Sequence, residues 1–353
     1  MKHNRPTVAD LDHYDEIIDV RSPAEYAEDH IPGAINCPVL DDAQRAEVGT
    51  LYKQVSPFEA KKLGAALVSE NIARHLRERF LERPKNWKPL IYCWRGGDRS
   101  GSMTTVFRAI GWPAGQLDGG YKAWRSHVIA RLEELPKQFR FIVLCGTTGN
   151  AKTRILQAIG QSGEQVLDLE TLACHKGSVL GVLPDQPQPS QKWFETSLLG
   201  ALQALDPARP VHVEAESRKI GNLHLPEAII GCIRQGQCLK IEASLEARVA
   251  FLLKDYDYFL SRPEFLSKRL DALRTLQSRE TLSRWQQLVH DADWPALVRE
   301  LLEQHYDPLY QRSQNHSFGD LDALPNFATD DLSPAGIDRL AAAIVQSRTA
   351  QMA

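Results

Sequence analysis

The sequence predicts an α/β protein of two domains, and three observations support this prediction. The chain has 353 residues, which is enough for about two domains with cores of their own. Short apolar runs alternate with stretches of helical periodicity, and this alternation is typical of parallel sheets. Pro136 separates an amphipathic stretch from a new apolar run. We therefore predict domains at residues 1–135 and 136–353.

Six apolar runs are predicted strands, and most of the predicted helices lie between them. The strands are expected at 15–20, 89–93, 139–145, 165–169, 210–215 and 238–243, and the helices at 59–83, 100–110, 152–160, 191–205 and 245–260. The pattern is almost wholly helical from 245 to about 312, which predicts a helical lobe on the second domain. Residues 316–333 are predicted to be a loop and residues 336–347 a last helix.

Composition is that of an ordinary globular chain. Charged residues make up 25% and hydrophobic residues 43%, and the net charge is −3, so any polyanion must bind local basic patches. No apolar run approaches the ~20 residues of a membrane span, and the N-terminus lacks the apolar segment of a secretion signal. The six cysteines are scattered without a CxxC pair, which favours reduced thiols and predicts no metal site. We expect a cytoplasmic monomer without membrane association.

The stretch LIYCWRGGDRSGSM (90–103) predicts a thiol held in an anion-binding loop. Cys93 ends an apolar strand, and a helix begins near Arg99. Backbone N–H groups of such a loop converge and the helix N-terminus adds positive potential, so negative charge on the sulfur is stabilised. A buried core cysteine is the alternative. The predicted site comprises Cys93 as the nucleophile, Arg95 and Arg99 as oxyanion ligands, and Gly96, Gly97 and Ser100.

The C-x5-R spacing from Cys93 to Arg99 also matches cysteine-dependent phosphatases, in which the loop binds phosphate while the cysteine attacks it. A phosphatase is therefore an alternative function. Asp98 inside the phosphate cup and Tyr92 in place of the usual histidine argue against it. Asp98 also places a carboxylate beside the thiol, which opposes negative charge on the sulfur.

Residues 139–160 are predicted to form a strand, a glycine loop and a helix. The loop GTTGNAKT (146–153) differs from the P-loop pattern GxxxxGK[ST] only at Ala151, whose Cβ lies where the backbone approaches phosphate. This argues against tight ATP binding and still allows a diphosphate, with Mg²⁺ as a possible companion. The predicted diphosphate ligands are Gly146, Gly149, Lys152 and Thr153. The structural alternative for this loop is a chance glycine-rich turn into a helix. The functional alternative for the protein is a sulfur carrier regulated by ATP or GTP.

Polar residues follow two further predicted strands. In an open α/β sheet, ligands bind beyond the carboxyl ends of the strands, so these residues are expected to face the P-loop. The predicted ligand-facing residues are His175, Ser178, Glu214, Arg218 and Lys219, with Glu214 or Glu216 as the acidic partner of the P-loop. Solvated surface charge is the alternative for each of them.

Two stretches, 61–88 and 262–284, carry a local excess of positive charge. Such an excess predicts binding to a nucleic-acid backbone, and Trp285 beside the second stretch is a candidate for stacking on a base. Charged outer faces of amphipathic helices are the alternative. The predicted tRNA contacts are Lys268, Arg269, Arg274 and Arg279.

Three motifs occur in an order that resembles the rhodanese family over about residues 10–130. They are DVRSPAEYAEDHIPGAINCP (19–38), the cysteine loop, and LDGGYKAWR (117–125). The resemblance implies that Cys93 carries sulfur or selenium. It also implies that Asp19 and Arg21 support the fold and the loop, and that His30 is a structural bracket.

The combination of this loop with a P-loop resembles the tRNA 2-selenouridine synthase family over nearly the whole chain. The motifs that carry the resemblance are YCWRGGDRS, the P-loop, LACHKGSVLG (172–181), QPSQKWFE (188–195) and VEAESRKIG (213–221). It implies a transferase that converts 2-thiouridine at the wobble position of tRNA to 2-selenouridine through an S-geranyl intermediate. Geranyl diphosphate and selenophosphate would be co-substrates, with no tightly bound cofactor, and Cys93 would carry selenium. The family's HRGS motif reads HKGS here, which loses the bidentate geometry of arginine.

A prenyl diphosphate would give the P-loop a use without ATP hydrolysis, because Lys152 would ease the departure of pyrophosphate. An apolar pocket must then take the C10 chain. The predicted helix 245–260 is a candidate wall, with an ordinary core role as the alternative. Its apolar residues are Phe251, Leu252, Leu253, Tyr256 and Phe259.

Overall fold

Two parallel sheets organise the structure, a computed structural model that describes residues 5–310 and 324–352. The chain divides into the units Met1–Arg131 and Leu132–Ala353, with one of these sheets in each. The predicted α/β class is confirmed. Among the residues described, no helix has both the length and the apolar character needed to cross a membrane.

The first unit contains a four-stranded parallel sheet in the order β2-β1-β3-β4. Its strands are β1 (Glu16–Asp19), β2 (Ile35–Asn36), β3 (Pro89–Tyr92) and β4 (Gly115–Gln116). Its helices are α1 (Pro23–Glu28), α2 (Asp42–Gln54), α3 (Pro57–His75), α4 (Asp98–Ile110) and α5 (Gly120–Glu134). All four residues of β3 are buried, as expected for a strand covered on both faces, and Cys93 follows it directly.

The second unit contains a five-stranded parallel sheet in the order β11-β10-β5-β7-β6. These strands are β5 (Phe141–Cys145), β6 (Gln165–Leu167), β7 (Val211–Glu214), β10 (Gln237–Glu242) and β11 (Asn326–Ala328), and β8 (Lys219–Ile220) and β9 (Leu223–His224) form a separate hairpin. Leu144 on the central strand β5 lies opposite Glu214 on β7 and Leu239 on β10. The residues that follow β5 and β7 therefore meet at one edge of the sheet.

Helices cover this second sheet and form the predicted lobe. They are α6 (Lys152–Gln161), α7 (Leu169–Ala173), α8 (Gln191–Gln203), α9 (Glu227–Arg234), α10 (Leu245–Asp255), α11 (Asp257–Leu260), α12 (Pro263–Leu270), α13 (Arg279–His290), α14 (Trp294–Leu301) and α15 (Pro334–Met352). The lobe packs around its own apolar cluster, which includes Leu270, Trp285 and Leu297.

Two elements differ from the sequence prediction. The loop predicted over 316–333 is wrong in part, because β11 pairs in parallel with the edge of β10; the residues up to 323 lie outside the described part of the chain. The helix predicted over 59–83 begins at Pro57 and continues after His75 as a π-helical turn that ends at Phe80. The last predicted helix, 336–347, lies within α15.

Candidate functional site

The first candidate site is the loop that follows β3, residues 93–99, which we call the Cys93 loop. Cys93 is buried, with 3% of its surface exposed. The Ser100 hydroxyl donates a hydrogen bond to the Cys93 sulfur at 3.2 Å. The Gln116 amide donates to the Ser100 hydroxyl oxygen at 2.9 Å. A donor fixed in this way stabilises negative charge on the sulfur.

Close backbone packing explains the glycines around this loop. Gly96 has a φ of +65°, and a Cβ at this residue would lie 2.6 Å from the carbonyl oxygen of Leu117. A Cβ at Gly120 would lie 2.3 Å from the carbonyl oxygen of Cys93. The N–H of Tyr121 donates to that same carbonyl at 2.8 Å. The LDGGY turn therefore forms the support beneath the Cys93 loop.

Side chains also hold the loop carbonyls in place. The Gln116 amide donates to the carbonyls of Gly96 and Gly97 at 2.8 and 3.0 Å. The Arg5 guanidinium donates to the Gly96 carbonyl at 3.0 Å. Gln116 was not among the residues singled out from sequence, because an isolated glutamine in a two-residue strand carries no pattern.

The two predicted oxyanion ligands have different surroundings. Arg99 pairs with Glu25 at 2.8 Å, whereas Arg95 lies exposed on the loop. Burial alone would raise the pKa of Glu25, but the hydrogen bond and charge of Arg99 outweigh it and lower that pKa. Asp98 is exposed in the first turn of α4, where a carboxylate is favourable to the helix dipole.

Arg21 lies at the centre of a buried network below this loop. Its guanidinium pairs with Asp19 at 2.6 Å and donates to the carbonyl of Asp29 at 2.6 Å. It also stacks over the ring of Tyr121, with 3.9 Å between the guanidinium carbon and the ring centroid. His30 stacks on Tyr26 at 3.9 Å. These contacts fit the structural roles that the rhodanese resemblance implies.

The second candidate site is the 146–153 loop between β5 and α6. The Lys152 ammonium group donates to the carbonyls of Gly146 and Thr147 at 2.7 and 3.2 Å. Gly146 and Gly149 have φ values of +152° and +89°. Ala151 has a φ of 55° in the left-handed region, which costs a non-glycine residue roughly 1–2 kcal/mol. Ala151 thus keeps the conformation that a glycine would adopt more easily.

Three carboxylates lie beside this loop. Glu170, Glu214 and Glu216 each have an oxygen within 4.8 Å of the others, and the Thr153 hydroxyl donates to Glu170 at 3.0 Å. Burial raises the pKa of Glu170 to about 10, with repulsion from the other two carboxylates adding to the effect. Burial also raises the pKa of Glu214 and Glu216. Glu170 was missed in the sequence analysis, although it directly follows a predicted strand.

The loop and the carboxylates line a polar cleft of about 440 Å³. The cleft brings together several predicted residues, namely Gly149, Lys152, Thr153, Ser178, Glu214 and Arg218. Arg218 also pairs with Glu227 at 3.1 Å. His175 is 3% exposed and burial lowers its pKa, while Lys219 lies exposed on β8. Neither residue is in the cleft wall. Lys176 lines the cleft instead and pairs with Asp255 at 2.6 Å.

An apolar cavity of about 70 Å³ adjoins the polar cleft. The two spaces share five lining residues, which are Thr148, Ser178, Leu252, Tyr256 and Tyr306. Four residues of the predicted wall, Leu252, Leu253, Tyr256 and Phe259, line the cavity, and Phe251 lines the cleft. Leu266 of α12 and Leu297 and Leu301 of α14 also line the cavity.

The second basic stretch is largely exposed, but its aromatic neighbour is not. Lys268, Arg274 and Arg279 are exposed, and Arg269 is half-buried beside the ring of Phe265. Trp285 is 0% exposed, because the amphipathic helix α13 places it on its apolar face. The prediction that Trp285 stacks on a base is therefore wrong. In the first stretch, Lys62 and Arg83 pair with acidic residues.

The fold and these two sites define a rhodanese-like domain followed by an AAA/P-loop-type domain. Residues 7–127 match the rhodanese-like domain family, and residues 139–269 match the family described as the tRNA 2-selenouridine synthase AAA domain. A rhodanese-related protein of known structure from Thermoplasma volcanium is 19% identical and covers 35% of this chain and 93% of its own, with a TM-score of 0.23.

Two relatives match most of the chain. The tRNA 2-selenouridine synthase of Nitrosomonas europaea is 34% identical over 275 residues, or 75% of this chain and 70% of the relative. The tRNA 2-selenouridine synthase of Alcanivorax borkumensis is 35% identical over 327 residues, or 83% of this chain and 88% of the relative. The chain belongs to the tRNA 2-selenouridine synthase family.

Proposed function

We propose that this protein converts 2-thiouridine at the wobble position of tRNA to 2-selenouridine in two steps, each at its own site. The thiol of Cys93, buried at a strand end and hydrogen-bonded by Ser100, is the observation that carries this proposal. Membership of the family and a cleft suited to a diphosphate add support. We expect a cytoplasmic monomer; both properties stay predictions.

The first step is prenylation of the base sulfur at the 146–153 loop. The sulfur attacks C1 of geranyl diphosphate, the C–O bond breaks, and pyrophosphate leaves with the bonding electrons while the base releases its ring proton to solvent. In this step the Lys152 ammonium group, which lies on the loop beside the Gly146 carbonyl, stabilises the departing anion. The carboxylates of Glu170, Glu214 and Glu216 and the Thr153 hydroxyl are hard oxygen donors that fit Mg²⁺. Bound Mg²⁺ would neutralise pyrophosphate charge.

The second step replaces the alkylated sulfur with selenium at the Cys93 loop. Alkylation makes the sulfur a better leaving group, so geranylthiol departs as the C–Se bond forms. Cys93 carries the selenium that selenophosphate supplies, and Ser100 stabilises the anionic selenium carrier. Selenophosphate supplies selenium at the selenide level, with water taking the phosphoryl group as phosphate. Loading that selenium on Cys93 as a perselenide therefore consumes a disulfide as two-electron oxidant, and two equivalents of thiol release it again as the selenide that attacks the base. The net replacement of sulfur by selenium is redox-neutral.

The two alternative functions have less support in the geometry. A cysteine-dependent phosphatase needs Arg99 as its phosphate ligand, and Arg99 is paired with the half-buried Glu25. A nucleotide-regulated sulfur carrier needs the 146–153 loop to bind ATP or GTP. Turnover of an aryl phosphate and calorimetry with ATP or GTP in the presence of Mg²⁺ test these alternatives directly.

The experiment incubates the protein with 2-thiouridine tRNA, geranyl diphosphate, selenophosphate and a thiol together with its disulfide, and analyses the digested nucleosides by mass spectrometry. We expect 2-selenouridine in the complete mixture and S-geranyl-2-thiouridine when selenophosphate is omitted. An intact-mass spectrum after treatment with selenophosphate and a disulfide oxidant should show one added selenium, mapped to Cys93. Absence of both modified nucleosides would contradict the proposal.

A further inference from the structure

We infer that His305 is a further ligand of the diphosphate in the polar cleft, to which it donates a hydrogen bond from its Nε2 atom. His305 lies in the helical lobe, directly after α14, and lines the cleft together with the 146–153 loop. Because the diphosphate donor belongs to the proposed function, this role of His305 rests on that proposal.

The hydrogen bonds of Gln277 determine which ring nitrogen of His305 carries the proton. The Gln277 amide nitrogen donates to the Gln304 carbonyl at 3.3 Å and lies 3.2 Å from Nδ1 of His305. Since a carbonyl accepts only from the amide nitrogen, Gln277 is the donor here and Nδ1 is the acceptor. Burial lowers the pKa of His305, which favours the neutral ring. A neutral ring that accepts at Nδ1 carries its proton on Nε2.

The Nε2–H group of His305 has no hydrogen-bond partner among the residues that the structure describes. His305 is 1% exposed, so the donor is buried. A buried donor without a partner costs free energy, and nearly all such groups in folded proteins are paired. The donor therefore needs an acceptor, and the cleft that His305 lines has room for a ligand that supplies one.

The helical segment that carries His305 is held against the 146–153 loop. The Arg248 guanidinium donates to the Thr148 carbonyl of this loop at 2.8 Å and binds the Asp307 carboxylate at 2.6 and 3.0 Å. Further along the segment, the Tyr310 hydroxyl accepts a hydrogen bond from the first N–H of the loop at 2.5 Å. These contacts fix the position of His305 relative to the loop.

The chemistry of the cleft favours an anionic acceptor for this donor. The Lys152 ammonium group lines the same cleft, so the negative charge of a diphosphate is balanced there. A hydrogen bond to a charged oxygen is stronger than one to a neutral carbonyl, and a diphosphate offers several such oxygens. His305 also lies in the π-helical turn Leu302–Tyr306, a form of helix that is rare and is frequently found at functional sites.

Calorimetric titration of the full-length protein with pyrophosphate tests the role of His305 without tRNA. His305→Phe keeps an aromatic ring and removes the donor, so it should weaken pyrophosphate binding about 10- to 100-fold. His305→Gln keeps an N–H donor near the Nε2 position and should bind pyrophosphate within ~5-fold of wild type. His75→Phe is the matched control, because His75 is also buried with an unpaired ring nitrogen but does not line the cleft. It should bind pyrophosphate as wild type does.

Heteronuclear NMR of wild-type protein labelled at its histidine nitrogens gives a second readout that needs no substitution in the measured protein. The ring of His305 should carry its proton on Nε2, and saturating pyrophosphate should move that proton signal downfield. An unmoved signal would overturn the inference, as would equal pyrophosphate affinity in wild type and His305→Phe. If pyrophosphate binding depends on His305 while no tRNA is prenylated, the proposed function fails and the role of His305 stands. If tRNA is prenylated while His305→Phe binds pyrophosphate normally, the role of His305 fails alone.

Discussion

The hydroxyl of Ser100 donates a hydrogen bond to the sulfur of Cys93, and the Gln116 amide fixes that hydroxyl from behind. Gln116 also binds the carbonyls of Gly96 and Gly97. One side chain therefore sets both the shape of the loop and the position of the donor. The thiol environment depends on a residue 23 positions away in sequence as well as on the loop itself.

Substituting Ser100→Ala should slow selenation about 10- to 100-fold, because a hydrogen bond to a charged group contributes roughly 1.5–3 kcal/mol. Geranylation should be unchanged, since Ser100 contacts Cys93 and is not part of the 146–153 loop. Single-turnover assays that follow each nucleoside provide the measurement. Ser102→Ala, at an exposed position of the same helix, is the control and should have no effect. A Ser100→Ala protein with the wild-type selenation rate would contradict the assigned role.

Ala151 provides a test of the 146–153 loop. Ala151→Gly should bind pyrophosphate at least as tightly as wild type, because glycine adopts the left-handed conformation without strain. Ala151→Val should lose binding and lower the unfolding temperature, since a β-branched residue is a genuine outlier there. Calorimetry with pyrophosphate and thermal unfolding give both readouts. Tight pyrophosphate binding by Ala151→Val would show that the loop conformation does not matter for the ligand.

The raised pKa of Glu170 predicts a pH-dependent stability. The ordinary value is 4.5 and the folded value is about 10, so the folded state keeps a proton that the unfolded chain releases. The contribution of Glu170 to stability is therefore fully present below about pH 4.5 and is lost as the pH rises towards 10. The free energy of unfolding of Glu170→Gln should equal that of wild type near pH 4.5. At alkaline pH it should exceed the wild-type value by about 1–3 kcal/mol.

Urea unfolding of both proteins near pH 5 and pH 8.5, without divalent cations, measures this difference. Glu246→Gln is the control, because the pKa of that exposed carboxyl is lowered by hydrogen bonds at the start of α10. At pH 8.5 the free energy of unfolding of Glu246→Gln should not exceed that of wild type. A Glu170→Gln protein that loses stability relative to wild type as the pH rises would contradict the assigned burial effect.

The basic residues of the lobe predict salt-dependent tRNA binding. Lys268→Ala and Arg279→Ala should each weaken binding and lower the slope of log affinity against log salt by about 0.7–0.9, as expected for one lost phosphate contact. Filter binding at several salt concentrations measures the slope. Lys137→Ala removes an exposed charge that pairs with Glu134 outside this stretch, and should leave the slope unchanged. If the salt slope of Lys268→Ala and Arg279→Ala equals that of wild type, these residues form a solvated charged surface that does not contact tRNA.

Sequence reasoning predicted both candidate sites because their signals are local. The strand-loop-helix pattern around Cys93 and around 146–153 follows from apolar runs and glycines that stand next to each other in the chain. Glu214 was found by the same rule, since it ends a buried strand. The parallel sheets followed from the alternation of the elements.

Residues that act through long-range contacts were missed. Glu25 holds Arg99 from 74 positions away, and Arg248 binds the loop from 100 positions away. No residue of helix α2 is fully buried, so it lacks the marked apolar face that reveals a helix in the sequence. The strand β11 spans three residues and forms by pairing with β10. Such features depend on the tertiary fold and leave little pattern in the local sequence.

The most direct test of two successive sites is nucleoside analysis with Cys93→Ser and Lys152→Ala. Cys93→Ser should convert 2-thiouridine tRNA to its S-geranyl form and stop there. Lys152→Ala should fail to geranylate, yet it should selenate purified S-geranyl tRNA when selenophosphate is supplied. Loss of geranylation in Cys93→Ser, or failure of Lys152→Ala to selenate the geranylated tRNA, would contradict the division of the reaction between the two sites.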